Sequence, residues 1–260
     1  MKLGVSYNLF DAEEHLESSI KQIRGSVDFI SVVYQQTSNF GDKCNPNLVK
    51  LLNKLVSKKL VDQIVEYFPL PMVNPHHNEI NKRNLGLHLS EKNGCTHHMS
   101  MDTDEYYTND QFENAKKIMV EGDYDSSACQ MVTYYKEPFY RLEPKEDYYV
   151  SMIYKIKPKK NFIFTHNFPV LVDPTRSMEP ENCKIFTRDE IEMHHMSFVR
   201  NDISKKLNNS SAKVNFEGFI PEFVRYFNNW EYGQKAITPG KPPREFDTVE
   251  VDDIFNIELN

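Results

Sequence analysis

Asp102-Thr103-Asp104-Glu105 stands at the end of an extended segment, and two carboxylates one residue apart on extended backbone project toward the same side. Such a pair suits a hard divalent cation, Mg²⁺ or Mn²⁺, which keeps several waters and takes further ligands from substrate phosphates rather than from an all-protein cage. On its own Asp-x-Asp also reads as an acidic turn after a strand. The histidine pairs His76-His77, His97-His98 and His194-His195 are further donors, each pair offering at most one ligand to a site because neighbours in a strand face opposite ways. Lys82, Arg83, Arg200 and Lys205 are basic side chains that could meet phosphate oxygens, Arg doing so in bidentate fashion. Their plainer reading is a solvated helix face.

The elements that must carry these residues alternate. Leu3 to Tyr7 reads as a short buried strand, and Asp11 as the cap of a helix with Glu14 in its first turn and Leu16, Ile20 and Ile23 on one face, ended by Gly25. Val27 to Tyr34 is a second strand, rich in β-branched residues. Asn45 and Pro46 then begin a helix carrying Leu48, Leu51, Leu52 and Leu55. A third strand spans about Gln63 to Tyr67, a helix runs from Glu79 to Lys92 with Gly94 as its stop, and the fourth strand ends at Asp102. This βαβαβαβ order predicts an α/β fold: a Rossmann-like, mostly parallel sheet with helices on both faces, whose ligands bind beyond the carboxyl ends of the strands. Tyr7, Asn8, Tyr34 and Gln35 are expected at such ends, as are Asp102 and Asp104.

The second half reads as mixed α+β. Thr108 and Gln111 cap a helix to about Val120, and Cys129 to Tyr135, Phe139 to Leu142 and Tyr148 to Ile156 alternate as antiparallel strands. Ile203 to Leu207 and Pro221 to Phe227 read as helices, residues 238–243 as a Pro/Gly loop, and Thr248 to Ile254 as a strand-like piece of an acidic tail. The expected divisions are residues 1–107, a βα half ending in Asp-x-Asp; 108–236, an α+β half of the same domain; and 237–260, loop and tail.

Of the 260 residues, 39% are hydrophobic, enough for one sizeable core. A formal charge of −7, from 38 acidic and 31 basic side chains without a long basic run, argues against a nucleic-acid partner, so an anionic ligand needs local cations or a metal. The polar N-terminus and the lack of a long apolar run predict neither a signal peptide nor a transmembrane segment, and a cytoplasmic protein is expected. Four dispersed cysteines, Cys44, Cys95, Cys129 and Cys183, fit reduced thiols rather than a zinc knuckle or a disulfide framework.

In three places the chain resembles the metal-dependent nucleotide-sugar glycosyltransferases of the A fold, and is similar to glycosyltransferase family two. They are Val5-Ser6-Tyr7-Asn8 with its following helix and strand; Asn81-Lys82-Arg83-Asn84-Leu85-Gly86-Leu87 ahead of Met101-Asp102-Thr103-Asp104-Glu105-Tyr106; and His195-Met196-Ser197-Phe198-Val199-Arg200. The match runs in order over about residues 1 to 206. It departs at the end of the second strand, where Val33-Tyr34-Gln35-Gln36 replaces the usual paired acids, and in the polar character of Thr96 to Met101.

The resemblance implies a fold of the glycosyltransferase A type, a nucleotide diphosphate sugar donor with uridine as the expected base, and a carbohydrate or other hydroxyl acceptor. It implies Mn²⁺ or Mg²⁺ held by Asp102, Asp104 and His195, the last favoured over His194, and inversion at the sugar carbon. Tyr7, Asn8, Tyr34, Arg83, Asp102, Thr103 and Arg200 become the expected nucleotide-sugar contacts, with Lys205 left on a solvated face. Inversion requires a general base, for which Asp147 in Glu146-Asp147 is the nearest candidate, with Glu190 and Glu192 as others. Trp230, Tyr226, Phe227 and Tyr232 read either as an acceptor-stacking cluster or as core. Two rival readings are a metal-dependent hydrolase with His and Asp ligands and a catalytically inactive nucleotide- or sugar-binding module.

Overall fold

Residues 29–34 are almost wholly apolar and residues 3–9 alternate apolar with small or polar side chains, yet both stretches are buried on both faces. The computed structural model describes residues 1–70, 72–257 and 259. β1 (Leu3–Leu9), β2 (Phe29–Tyr34), β3 (Gln63–Glu66) and β4 (His97–Asp102) pair in parallel in the order β3-β2-β1-β4. The helices α1 (Glu13–Ile23), α2 (Leu48–Ser57) and α3 (Pro75–Lys92) connect them. The expected α/β class is therefore present, and Asn8 is registered against Asp102 at the carboxyl edge.

After β4 the sheet becomes mixed. A two-residue strand β5 (Glu105–Tyr106) and helix α4 (Asn109–Glu121) lead into β6 (Ser126–Tyr135), β7 (Tyr140–Glu143) and β8 (Tyr149–Lys155). β8 lies antiparallel between β4 and β6. β9 (Cys183–Ile185) and β10 (Glu192–Phe198) add parallel to β6, and β10 also pairs antiparallel with β5, setting His195 opposite Glu105. That pairing carries the late histidine motif to the Asp-x-Asp turn. The chain closes with α5 (Ile203–Asn209), α6 (Ile220–Asn228), β11 (Ala236–Thr238) and β12 (Arg244–Glu250).

Element ends differ from the pattern reading where side chains have other work. Asp11 does not cap α1: the cap is Ala12 in left-handed backbone, without a side-chain bond, and Asp11 lies on a cavity wall. α3 starts four residues before Glu79, at Pro75, with Asn74 accepting from the His76 amide at 3.0 Å. The last strand lies over Arg244–Glu250 rather than Thr248 to Ile254, because its partner is β7. Beyond it Phe255 and Ile257 are buried against Tyr106 and Val132; Glu258 and Asn260 of the expected tail lie outside the described residues.

The main core lies between the parallel strands and α1, α2 and α4, with Leu3, Val5, Tyr7, Leu16, Ile20, Leu52 and Met99 among its members. On the opposite face, Gly86 lets α3 approach β1 so closely that a Cβ there would stand 2.2 Å from Ser6 Oγ. Lys82 and Arg83, one turn earlier, are thereby drawn over the carboxyl ends of β1 and β4. Gly94, at φ +72°, ends the helix in the conformation that glycine adopts without cost.

Candidate functional site

A cavity of about 610 Å³ opens at the carboxyl edge of the parallel strands, with Asn8, Gln35 and the Asp102–Glu105 turn in its walls. Strand alternation decides which end residues reach it. Asn8 does: its Nδ2 donates to Ser100 Oγ at 3.0 Å, and its buried Oδ1 has no protein partner among the described residues. Tyr7 points the other way, fully buried in the main core with its hydroxyl 3.0 Å from Ser19 Oγ, and so is corrected from nucleotide contact to core residue. Tyr34 is corrected likewise, buried against the same core, while the next residue, Gln35, lines the cavity and donates to Thr37 O at 3.1 Å. Thr103 is in the wall, its hydroxyl donating to Asp11 O at 3.4 Å.

The two carboxylates of Asp-x-Asp have unlike surroundings. Asp104 is deeply buried and its Oδ2 accepts from Arg200 Nη2 and, at 3.1 Å, from Lys206 Nζ, with His195 Nε2 at 3.6 Å. Burial raises this carboxyl, but the Lys206 and Arg200 cations override it and hold it well below the usual carboxylate range. Asp102 is 41% exposed, 3.4 Å from Arg83 Nη2. There burial raises and Arg83 with Arg176 lowers, leaving the carboxyl below its ordinary value. Arg83 is itself buried and also donates to Ser100 Oγ at 2.9 Å.

Beneath the turn lies a buried ion pair. Arg176, from a short 3₁₀ turn at Pro174–Arg176, meets both carboxylate oxygens of Glu105 and the carbonyl of Ser100. Removing either partner of so buried a pair costs about 3–5 kcal/mol, so Arg176 fixes the backbone on which Asp102 and Asp104 stand. Lys82 is different. It lies in the cavity wall at 7% exposure, and among the described residues no side chain pairs with its ammonium; burial lowers its pKa.

His195 faces Asp104, while His194 points away to Tyr134, with Nδ1 2.9 Å from the Tyr134 hydroxyl. The other pairs are dispersed: His76 reaches the cavity and His77 does not, and His97 and His98 lie in β4, His98 bonded to Ser90 at 2.8 Å. That dispersion removes the support for a two-metal histidine centre. Among the described residues no three His, Cys, Asp or Glu side chains are grouped to hold a metal. The donor chemistry nevertheless fits a hard ion at this place. Asp104 and His195 converge and Asp102 lines the same cavity, donors of the type that Mg²⁺ or Mn²⁺ takes, and the Asp104 Oδ2 already accepts from Arg200 and Lys206. The walls also carry six acidic against five basic side chains before any anion enters.

Asp147 lies elsewhere: it is exposed and accepts from Gln130 Nε2 at 3.0 Å, outside the cavity, so the base is corrected away from it. Glu190 is bonded to Lys184 and Thr187, and Glu192 to Lys145, both also outside. Beyond Asp11 and the Asp102–Glu105 turn, the carboxylates that reach the wall are Asp173 and Glu79. Asp173 accepts from the amide and hydroxyl of Thr175, each at 2.8 Å; the same hydroxyl is 3.4 Å from Glu79 Oε2. Burial first, then the charge of Asp173, pushes the Glu79 carboxyl up to about 7.

Trp230 belongs to a second core, edge-on to Tyr135 with centroids 5.2 Å apart, and Lys205 stands off the cavity near Glu13 at 3.8 Å. The pattern reading missed Lys206, Asp173, Glu79 and Arg176. For Lys206 a signal existed: Ile203 and Leu207 are the buried residues of α5, and position 206 shares their side of the helix. Asp173 carried only the Asp-Pro cap pattern of the 3₁₀ turn Pro174–Arg176, which does not point to a cavity.

No family model matches the chain, and no curated protein matches it. Among solved structures it is similar to S. aureus TarS, at 13% identity and TM-score 0.45 over 80% of this chain; the chain spans 38% of that protein's length. It is similar to S. aureus TarS 1–349 in complex with UDP, at 12% identity and TM-score 0.49, covering 88% of this chain and 72% of the other. A third likeness is to mannose-1-phosphate geranyltransferase from Thermus thermophilus, at 13% identity and TM-score 0.34, with 60% and 51% covered.

Proposed function

We propose that the protein is a glycosyltransferase of the A fold, moving a sugar from a nucleoside diphosphate, uridine-linked, to a hydroxyl acceptor with inversion. The observation that carries this is one cavity wall holding Lys82, Arg83, Arg200 and Lys206 around Asp102 and Asp104, a charge arrangement that matches a diphosphate approached by a cation. Lys82, buried and unpartnered among the described residues, gains an oxyanion partner when a phosphate enters. Arg200 and Lys206 offset negative charge as it grows on the departing diphosphate. The uridine and the inversion come from the motif resemblance.

Asp102, Asp104 and His195 would hold Mn²⁺ or Mg²⁺. That ion would supply Lewis-acid stabilisation of the leaving diphosphate. Asp173 replaces Asp147 as the base: its carboxylate faces the cavity and is held in place by Thr175, so it can take the proton of an acceptor hydroxyl as the bond to the sugar carbon forms.

Thermal unfolding with UDP, with and without Mn²⁺, tests the reading, because a ligand of the native state raises its midpoint. Donor hydrolysis is measured beside it, and Asp104→Ala should abolish hydrolysis. UDP that fails to shift the midpoint under either condition overturns the transferase reading. Hydrolysis that persists in chelator leaves charge neutralisation to Arg200 and Lys206 and removes the ion.

A further inference from the structure

Among the described residues thirteen large apolar side chains are exposed, and six of them belong to two stretches of the chain: Phe68, Leu70, Met72, Ile163, Phe164 and Leu171. They fall in residues 67–78 and 161–172, together about a tenth of the chain. Those 24 residues contain no Asp, Glu, Lys or Arg in a protein whose composition is 27% charged. Phe68 is 72% exposed, Leu171 65%, and Met72 wholly so. Apolar area is common on surfaces when scattered; gathered in one uncharged patch it marks a place that something covers.

The two segments form one lip, and the lip joins the cavity. Asn78, in the first turn of α3, accepts from the Tyr67 hydroxyl at 2.8 Å and the Leu70 amide at 3.0 Å, tying the first segment to that helix. Phe164 stacks on His76, centroids 5.6 Å apart, and His76 is in the cavity wall. Thr165 N donates to Pro174 O at 3.1 Å and Tyr149 N to Leu171 O at 3.1 Å, with Pro174 and Tyr149 also in the wall. Leu171 stands two residues before Asp173. The backbone beside Phe164 and at Leu171 is thus bonded to the stretch of wall that holds Asp173, Pro174 and Tyr149.

We infer that the acceptor is an amphiphile: a hydroxyl-bearing polar head that enters the cavity and an uncharged apolar tail that lies along Phe68, Leu70, Phe164 and Leu171. The inference rests on the transferase reading for the word acceptor, and on the lip alone for the tail. A lip without charge offers a nucleotide or a polyanion nothing, whereas it takes hydrocarbon out of water without stranding a charged group.

The probes are butyl and octyl β-D-glucoside, titrated below their micelle concentrations into the full chain and followed by calorimetry, beside UDP-induced thermal shift on the same samples. The variant is Phe68→Ser with Phe164→Ser and Leu171→Ser, all surface positions. If the lip covers about half of each added methylene, octyl should bind roughly tenfold tighter than butyl. The difference should vanish in the variant while its UDP shift is unchanged. Equal affinity for the two glucosides, or a chain-length dependence that survives in the variant, overturns the inference. It is also overturned if the variant loses only self-association or flotation with phosphatidylcholine vesicles, which would give the lip to a second copy or a bilayer. A missing UDP shift in both proteins sinks the transferase reading, and the glucoside series still decides the lip.

Discussion

The cavity and the lip beside it are built on opposite principles. In the first, Lys82, Arg83, Arg200 and Lys206 are gathered around Asp102 and Asp104, with Lys82, Arg83 and Asp104 buried and the others half-buried; in the second, Phe68, Leu70, Phe164 and Leu171 stand in solvent with no charged residue next to them in sequence. Buried charge is costly unless paired, and exposed hydrocarbon is unfavourable unless covered. Each is thus incomplete in its own way: Lys82 in the charged wall has no ion-pair partner among the described residues, and the apolar lip has no cover. A molecule that presents an anion to the first and hydrocarbon to the second satisfies both.

The contrast can be broken from either side. The largest effect belongs to Asp173→Asn, which keeps every cation of the charged wall, Arg83 losing one carboxylate 3.8 Å away, and removes the proton acceptor between the two sides. Transfer should fall by about 10²- to 10⁴-fold, the usual worth of a positioned base, while the UDP thermal shift stays as in the parent. A parallel loss of the UDP shift would show that Asp173 instead supports the donor site. Lys82→Met acts on the charged wall itself. Removing a buried ammonium without a partner should raise the melting temperature of the free protein, and the loss of one charge-assisted bond should weaken UDP by about 10- to 100-fold. Opposite signs in two measurements on one variant distinguish a ligand-binding cation from a structural one.

The lip variant described above sharpens the apolar side, with an expected change of roughly tenfold in octyl glucoside affinity and none in UDP binding. The smallest effect is one of pH. Glu79 has its carboxyl raised from 4.5 to about 7 in the folded chain, so below pH 4.5 folded and unfolded forms bind the proton alike and nothing is lost. Between pH 4.5 and 7 the unfolded chain sheds that proton more readily, and stability declines by an amount on the order of 1 to 3 kcal/mol before levelling off. Glu79→Gln should therefore match the parent at pH 4.5 and melt higher at pH 8. Calorimetric midpoints that differ equally at both values would assign Glu79 a packing role rather than a titrating one.

How far the site could be read beforehand depended on whether a neighbour in sequence or a neighbour in space set each residue's role. Asp102, Asp104, Arg83 and Arg200 reach the cavity as the motifs suggested, because strand and helix ends repeat the same local geometry. Tyr7 and Asn8 show where such reading stops. Alternation puts Tyr7 with Leu3, Val5 and Leu9 on one face and Asn8 with Gly4 and Ser6 on the other, but both faces of β1 are buried, and the packing of α3 over the small, polar face settles that it is the one beside the cavity. Asp147 is marked in the sequence only by its adjacency to Glu146, and the fold carries it away from the cavity while Asp173, bonded to Thr175, lies in the wall.

From the chain alone came the alternation of strands and helices, the Asp-x-Asp turn at a strand's carboxyl end and the late histidine motif, since periods of 2 and 3.6 residues and glycine stops are properties of neighbouring residues. Only the tertiary structure decided that Arg200 and Lys206 close on Asp104, that Arg176 underpins the turn through Glu105, and that two uncharged segments some ninety residues apart form one lip. Those are contacts across the sheet. Their partners are chosen by strand order and by the closeness that Gly86 permits between α3 and β1, and neither has a local period to announce it.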